Sequence, residues 1–532
     1  MSQKTLPFIQ SEMHPSRWGD PALAGPLPDA ARGLVELAFG LEDRPALEEP
    51  ALPPIGLGDD VLGPLRGLVG DVHVLTDDVT RRLRTRGKST PDLLRMRAGD
   101  LSDAPDVVVR PAGHDDVAAV LAFAVDHHLA VVPFGGGTSV TGGLAARRDG
   151  FAGLLSLDLV RMKGLVDVDH VSMTATLEPG LRGPEAEALL AEQGLTLGHY
   201  PQSFEYATIG GFAATRSSGQ SSAGYGRFDA LVVGLRVATP RGEVRLGSAP
   251  ANAAGPDLRQ LFLGSEGAFG VITAVTVRVR PLPVEKVYEG WRWPSFTAGA
   301  EAMRTLAQAG LLPTVIRLSD ENETAINLAR PDDIGSEEAA GCLMISGYEG
   351  EPAAVAAKRA AVTAVLEGLG GTALGTDPGE AWAHGRFGAP YLRDAMLDVG
   401  VLVETMETAT FWSTRDALYT AVKEALGAEL GDGAIVLCHI SHVYETGCSL
   451  YFTIATKGDV DPLPQWLKAK AAASDAIMAA GATITHHHAV GTDHRPWLTQ
   501  EIGDLGASIL RAVKADLDPT GILNPGVLIP DA

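Results

Sequence analysis

Pro133-Phe134-Gly135-Gly136-Gly137-Thr138-Ser139-Val140-Thr141-Gly142-Gly143 is the stretch on which the reading of this chain turns. It follows an apolar run at residues 129–132, which follows an amphipathic pattern at residues 115–127, so the order is helix, strand, glycine loop. Glycines directly after a strand let the backbone approach a bulky anion, because no Cβ blocks it and positive φ costs little. Successive N–H groups in such a loop form a nest for phosphate oxygens, and Thr138, Ser139 and Thr141 add hydroxyl donors. No Gly-Lys-Ser/Thr ends the loop, so it is not a Walker A site. After Gly143 comes Leu-Ala-Ala-Arg-Arg-Asp-Gly, a turn toward a strand at residues 154–157 rather than a helix, so it is not the Rossmann fingerprint either.

Two more glycine-rich segments follow. His199-Tyr200-Pro201-Gln202-Ser203-Phe204-Glu205-Tyr206-Ala207-Thr208-Ile209-Gly210-Gly211 leads into Ala213-Ala214-Thr215-Arg216-Ser217-Ser218-Gly219. Gly264-Ser265-Glu266-Gly267-Ala268-Phe269-Gly270-Val271-Ile272-Thr273 leads into an alternating strand closed by Pro281 and Pro283, a domain boundary. Around these loops, strands at residues 107–109, 154–157, 164–168 and 173–178 and a helix at residues 184–193 make an α+β unit. Residues 1–100 carry short helical patterns, such as residues 29–39, and read as an accessory layer in which Arg86-Gly87-Lys88-Ser89 is a solvated turn. Residues 282–500 shift to Ala-rich helices (299–309, 353–369, 416–429) between strands (342–347, 435–439, 448–455), as in an antiparallel sheet covered on one face. Residues 501–532 add a helix and a closing turn.

Composition narrows the function classes. With 43 basic and 66 acidic residues the net charge is −23, which argues against nucleic acid as a partner. Cys342, Cys438 and Cys448 are too few and too scattered for a disulfide framework or a zinc site, and fit a reducing cytosol. Residues 1–20 lack the apolar core of a secretory signal, no apolar run is long enough to span a bilayer, and the last residues carry no address. A cytoplasmic protein is expected.

The three loops, in this order and in this scaffold, resemble the FAD domain of the vanillyl-alcohol oxidase/PCMH superfamily. The rest of the chain narrows the resemblance. Ile316-Arg317-Leu318-Ser319-Asp320, Pro390-Tyr391-Leu392-Arg393-Asp394, Glu404-Thr405-Met406-Glu407-Thr408, Gly447-Cys448-Ser449-Leu450-Tyr451-Phe452, His486-His487-His488-Ala489-Val490-Gly491 and Asn524-Pro525-Gly526 follow one another as in the alkyldihydroxyacetonephosphate synthase (alkylglycerone-phosphate synthase) family of ether-lipid synthesis. The resemblance implies an α+β fold. A PCMH-type two-subdomain FAD-binding domain (101–281) would follow the N-terminal region (1–100). A cap with an antiparallel sheet covered by helices (282–500) and a segment packing back on the FAD domain (501–532) would complete it.

The resemblance also implies FAD held by Pro133, Phe134, Gly135, Gly136, Gly137, Thr138, Ser139 and Val140, by Gln202, Ser203, Thr208, Gly210 and Gly211, by Thr215, Ser217 and Ser218, and by Glu266, Gly270, Val271 and Ile272. No His or Cys in the first loop offers a covalent link, so the FAD is expected to be non-covalent. Arg393 would bind the substrate phosphate, for which a guanidinium fork is well shaped. Arg317 and His199 would also contact substrate. Tyr451 would be the acid/base group, with His486, His487 and His488 beside it. Read alone, Tyr451 is a core tyrosine, Arg393 a surface ion pair and His199 a turn residue. The implied reaction exchanges the acyl group of acyl-dihydroxyacetone phosphate for a fatty alcohol, with flavin N5 as a covalent trap and no net oxidation. As a base, Tyr451 would need nearby positive charge to lower its pKa, which the histidines and arginines would supply. The His triplet is expected on a strand, with at least one ring turned away from the site, and no metal is expected. An alternative of similar fold is FAD-linked oxidation of a 2-hydroxy acid such as D-lactate or glycolate. Peripheral membrane contact and a homodimer complete the expectations. Two positions depart from the family pattern: Cys448 stands one place from the family's cysteine, and Tyr200 replaces an acidic residue after His199.

Overall fold

The computed structural model describes residues 11–47, 49–145, 147–328 and 341–531. Parts of the expected N-terminal layer (1–10 and 48), of the expected cap (329–340) and the final Ala532 therefore lie outside the described residues.

The first glycine loop leaves the edge of a four-stranded sheet, ordered Val74–Leu75, Val107–Val109, Gly153–Asp158, Leu129–Phe134. The last three strands run parallel and are almost wholly buried, which is why they read as unbroken apolar runs. The crossover helix His114–Asp126 buries Val117, Val120, Leu121 and Ala124 against them, a stripe at helical spacing. A five-stranded antiparallel sheet follows, ordered Leu165–Asp169, Thr174–Leu177, Val271–Arg278, Val232–Thr239, Gly242–Leu246. The helices Gly183–Ala191 and Ile209–Thr215 pack into its core through Ala186, Leu190, Ile209, Phe212 and Ala213.

The third sheet has seven strands, all antiparallel to their neighbours: Thr372–Gly375, Glu285–Trp293, Cys342–Gly350, Val315–Ser319, Ile435–Ile440, Gly447–Lys457, Val401–Phe411. Strand side chains alternate faces. Ile316, Leu318, Met344, Cys438, Ile440, Leu450, Phe452 and Ile454 enter a core shared with the helices Phe296–Gln308, Pro352–Gly368, Arg415–Leu430 and Pro462–Ala479. Their neighbours Arg317, Ser319, Leu343, Ile345, His439, Tyr451 and Thr453 face a cavity on the other side. A one-residue slip in any of these strands would exchange core for cavity.

The chain ends on the first sheet. Val131 and Leu523 form a parallel bridge, and the Asn524 amide donates to the Val131 carbonyl at 2.8 Å. The Asn524 side chain donates to the carbonyls of Gly143 (3.0 Å) and Glu266 (2.7 Å), joining the first and third glycine loops.

The N-terminal layer departs from its sequence reading in two ways. Val74–Leu75 adds a strand to a region read as helical. The solvated turn expected at Arg86-Gly87-Lys88-Ser89 is a buried brace under the first glycine loop. The Lys88 amide donates to the Ser139 carbonyl at 2.6 Å, and a Cβ on Gly87 would stand 2.3 Å from that oxygen. Arg86 is neutralised by Asp100 and Asp103, and Lys88 Nζ donates to the carbonyls of His14 (2.7 Å) and Pro15 (2.6 Å). These partners allow the charges to be buried. The opening segment is held on its other side as well. Arg84 pairs with Glu12, Arg17 with Asp398, and the Trp18 amide donates to Asp394, the latter two acids lying on the helix Ala389–Asp398. Among the described residues no helix is long and apolar enough to cross a membrane.

Candidate active site

The seven-stranded sheet and the glycine loops enclose a cavity of about 760 Å³. Residues 133–140 form one wall. Gly136 lies so close to the next segment that a Cβ would sit 2.0 Å from the Tyr206 carbonyl oxygen. Gln202, Ser203, Thr208, Gly210, Gly211, Thr215, Ser217 and Ser218 form a second wall. Here Thr208 caps the helix Ile209–Thr215, its hydroxyl accepting from the Gly211 amide at 3.3 Å. Glu266, Gly270, Val271 and Ile272 form a third. Arg317, Arg393, Tyr451, His487 and His488 line the same cavity, so five of the seven expected substrate and catalytic residues meet the glycine loops there.

His199 and His486 do not line it. His199 is buried behind the wall, its ring against Phe212 and Phe228 and its Nε2 3.0 Å from Ser217 Oγ. It supports a wall residue and is not placed to touch substrate. Burial pushes its pKa down to about 3. His486 is turned toward Tyr444, whose hydroxyl lies 2.6 Å from its Nε2.

The His triplet forms a bend, not the expected strand. Its backbone amides converge on one buried carboxylate: Glu407 accepts from the N–H of His486 (2.7 Å), His487 (3.1 Å) and His488 (2.9 Å) and from Thr485 Oγ1 (2.6 Å). Amides turned inward to one acceptor cannot also pair along a strand. The bend is pinned to the first and third glycine loops. Thr141 Oγ1 donates to the His488 carbonyl (3.1 Å), the Thr492 and Asp493 amides donate to the Thr141 carbonyl (3.1 Å each), and Glu266 accepts from the amides of Val490 (3.0 Å) and Gly491 (2.9 Å).

Tyr451 lies on His439 with ring centroids 4.7 Å apart and meets His488 edge-on at 5.5 Å. The lowered phenol pKa expected from the sequence is not found. Burial, aided by the Glu404 and Glu407 carboxylates, pushes Tyr451 up to about 12. Burial also pushes His488 down to about 3 and holds His486 and His442 well below the ordinary imidazole range, so these rings are neutral and supply no positive charge.

Arg393 is not the surface ion pair its residue type suggests. Its Nη1 donates to the Lys88 carbonyl (2.7 Å) and its Nε to Asp394 (3.1 Å), while Nη2 is buried without a partner. Arg317 is bound to Glu323 at 2.8 Å and lies 3.0 Å from His439 Nδ1. Sequence reasoning missed Glu407 as an anchor, although its motif was singled out. It also missed His442 and Arg386, both of which line the cavity. His442, His486 and His487 each bring a ring nitrogen within 4.8 Å of the others, ligand types that could hold a metal ion.

The residues fit FAD. The first loop is drawn flat against residues 206–208 where no side chain fits, the cavity is large, and the Gln202 Nε2 donor at its wall is buried and unpartnered. Residues 105–247 match the FAD binding domain family, and residues 282–528 match the C-terminal domain of the FAD linked oxidases. Fold and site thus define an FAD-dependent enzyme of the FAD-linked oxidase type. Over 92% of its length the chain is 35% identical to the alkyldihydroxyacetonephosphate synthase of Trypanosoma brucei brucei, covering 84% of that protein. It is 33% identical to the Dictyostelium discoideum enzyme of the same name over 94% of its length, covering 85% of that protein. A solved structure of an alkyldihydroxyacetonephosphate synthase matches with a TM-score of 0.83 at 28% identity, over 97% of this chain and 98% of that one. The chain belongs to the alkyldihydroxyacetonephosphate synthase family.

Proposed function

We propose that this protein exchanges the acyl group of an acyl-dihydroxyacetone phosphate for a fatty alcohol, using non-covalently bound FAD without net oxidation. The observation that carries the reading is one cavity that joins the glycine cradle to Arg393, whose buried Nη2 has no partner among the described residues. Bound FAD would supply a ring edge able to hold the substrate carbon during the exchange. Arg393 binds the phosphate through its planar fork. The protonated Tyr451 phenol, pushed up to about 12 by burial, donates a hydrogen bond to the departing carboxylate as negative charge develops on it. The imidazoles of His487 and His488 are the available acceptors for the proton of the incoming alcohol. The acid leaves as its carboxylate and the alcohol's proton passes on to solvent, so the exchange leaves the protein as it began. His486 keeps its neighbour in place, with 3.0 Å between the two Nδ1 atoms.

The cradle would hold FAD through residues 133–140, Gln202, Ser203, Thr208, Gly210, Gly211, Thr215, Ser217, Ser218, Glu266, Gly270, Val271 and Ile272, all of which line the cavity. The division of the chain at about residues 100, 281 and 500 belongs to the same reading. So does a peripheral contact with a lipid surface, which the exposed Leu505 and Ile509 on the last helix support.

The test is release of labelled fatty acid from acyl-dihydroxyacetone phosphate. Release that depends on added fatty alcohol is expected. Anaerobic mixing with D-lactate or glycolate is the counter-test, and flavin bleaching with turnover there would overturn the assignment.

A further inference from the structure

Three arginines line the cavity, and two of them have carboxylate partners: Glu323 for Arg317 and Asp394 for Arg393. Arg386 has none among the described residues. It sits in the turn between the helices Asp377–Gly385 and Ala389–Asp398. Its guanidinium lies over the rings of Phe387 (4.9 Å), Tyr200 (5.2 Å) and Trp382 (5.8 Å). The turn is fixed from the second glycine segment, because Gln220 Nε2 donates to the Arg386 carbonyl at 3.1 Å. Nη1 of Arg386 is buried and has no hydrogen-bond partner among the described residues.

Aromatic faces attract a cation but satisfy none of its N–H groups. A buried charged donor left unpaired is costly, and such a group beside a cavity marks a missing ligand. The missing partner is an acceptor, and an anion pairs best with guanidinium. Tyr200, which stands where the family pattern has an acidic residue, supplies part of the aromatic frame instead of a carboxylate. The proposed exchange offers two anions, the phosphate and the carboxylate of the released acid. Arg393 has a backbone carbonyl and an acid around its fork and is assigned the phosphate. The rings framing Arg386 are aromatic, and the cavity it lines also carries Pro378, Leu343 and Ile345, a lining that suits an alkyl chain ending in a charge.

We propose that Arg386, framed by Tyr200, Trp382 and Phe387, is the subsite for the carboxylate of a long-chain fatty acid, the group set free in the exchange. The inference rests on the acyl-exchange reading. As the bond between the substrate carbon and the acyloxy oxygen breaks, its electron pair stays on that oxygen and Arg386 receives the charge of the carboxylate; the alcohol oxygen takes the vacated place on the carbon and gives up its proton.

The probes are palmitate, hexadecanol and inorganic phosphate, titrated calorimetrically into the FAD-loaded full-length protein. Arg386→Met should weaken palmitate at least tenfold while leaving hexadecanol and phosphate within about twofold, and Arg386→Lys should keep part of the palmitate affinity. Arg393→Met should show the reverse pattern, losing phosphate and keeping palmitate. Palmitate affinity unchanged in Arg386→Met overturns the subsite. So does joint loss of palmitate and hexadecanol, which marks a packing effect, and so does a wild-type protein that binds no palmitate. Palmitate binding that depends on Arg386 in a protein with no acyl exchange would sink the reaction and leave the subsite standing.

Discussion

Glu407 and Tyr451 are register partners on adjacent strands, and the carboxylate of one holds the loop that the ring of the other faces. Glu407→Gln keeps the shape but leaves one oxygen where two accepted, so at least one amide of the bend loses its acceptor. A stability loss of about 2–3 kcal/mol is expected, with turnover falling more than flavin affinity. Burial works against the charged carboxyl, but its contact with the His487 side chain outweighs it and holds its pKa well below the ordinary 4.5. Its contribution is therefore complete above pH 4.5 and drains away as pH falls through the folded-state value. Acid unfolding followed by circular dichroism should show Glu407→Gln converging on the wild type at low pH. Parallel curves would contradict this role.

Tyr451→Phe should retain FAD, with an unchanged flavin spectrum, and lose about 10²- to 10⁴-fold in turnover. Because burial pushes the phenol up to about 12, it stays protonated through the neutral range, and turnover should not rise with pH between about 6 and 9 on its account. A tenfold gain per pH unit in that window, absent from Tyr451→Phe, would make the phenolate the working form.

Arg393→Lys keeps the charge and removes the fork. Loss of one charge-assisted hydrogen bond predicts a KM for the phosphorylated substrate raised about 10- to 100-fold, with kcat changed far less. An unchanged KM would assign the phosphate elsewhere.

Gly136→Ala places a methyl group 2.0 Å from the Tyr206 carbonyl oxygen, and backbone cannot yield as a side-chain tip would. FAD affinity should fall at least tenfold, read by flavin fluorescence on dilution, and the apo-protein should melt below the wild-type temperature. Full flavin retention would show that the first loop is not the cradle.

The glycine loops were legible because their signal is local: close backbone approach demands glycine at the position itself. The apolar runs at residues 342–347, 435–439 and 448–455 gave three strands of the third sheet for the same reason. What stayed hidden depended on partners remote in the chain. Arg86 and Lys88 look solvated until Asp100, Asp103 and the carbonyls of His14 and Pro15 reach them. Three histidines in a row resemble a strand until Glu407, some eighty positions earlier, gathers their amides. The phenol of Tyr451 looked ready to be acidified by its neighbours, but burial pushes it up to about 12 and pushes His488 down to about 3. Arg386 carries no motif, since its frame comes from residue 200 as well as residues 382 and 387.

Lys88 grips the carbonyls of His14 and Pro15, while Arg17 and Trp18 fasten to the helix that carries Arg393. Residues 14–18 are thus a buckle sewn between the cradle and the roof. A protein shortened by twenty residues would keep its sheets and lose that clasp, and the yellow colour washing out on a desalting column would be the mark of it.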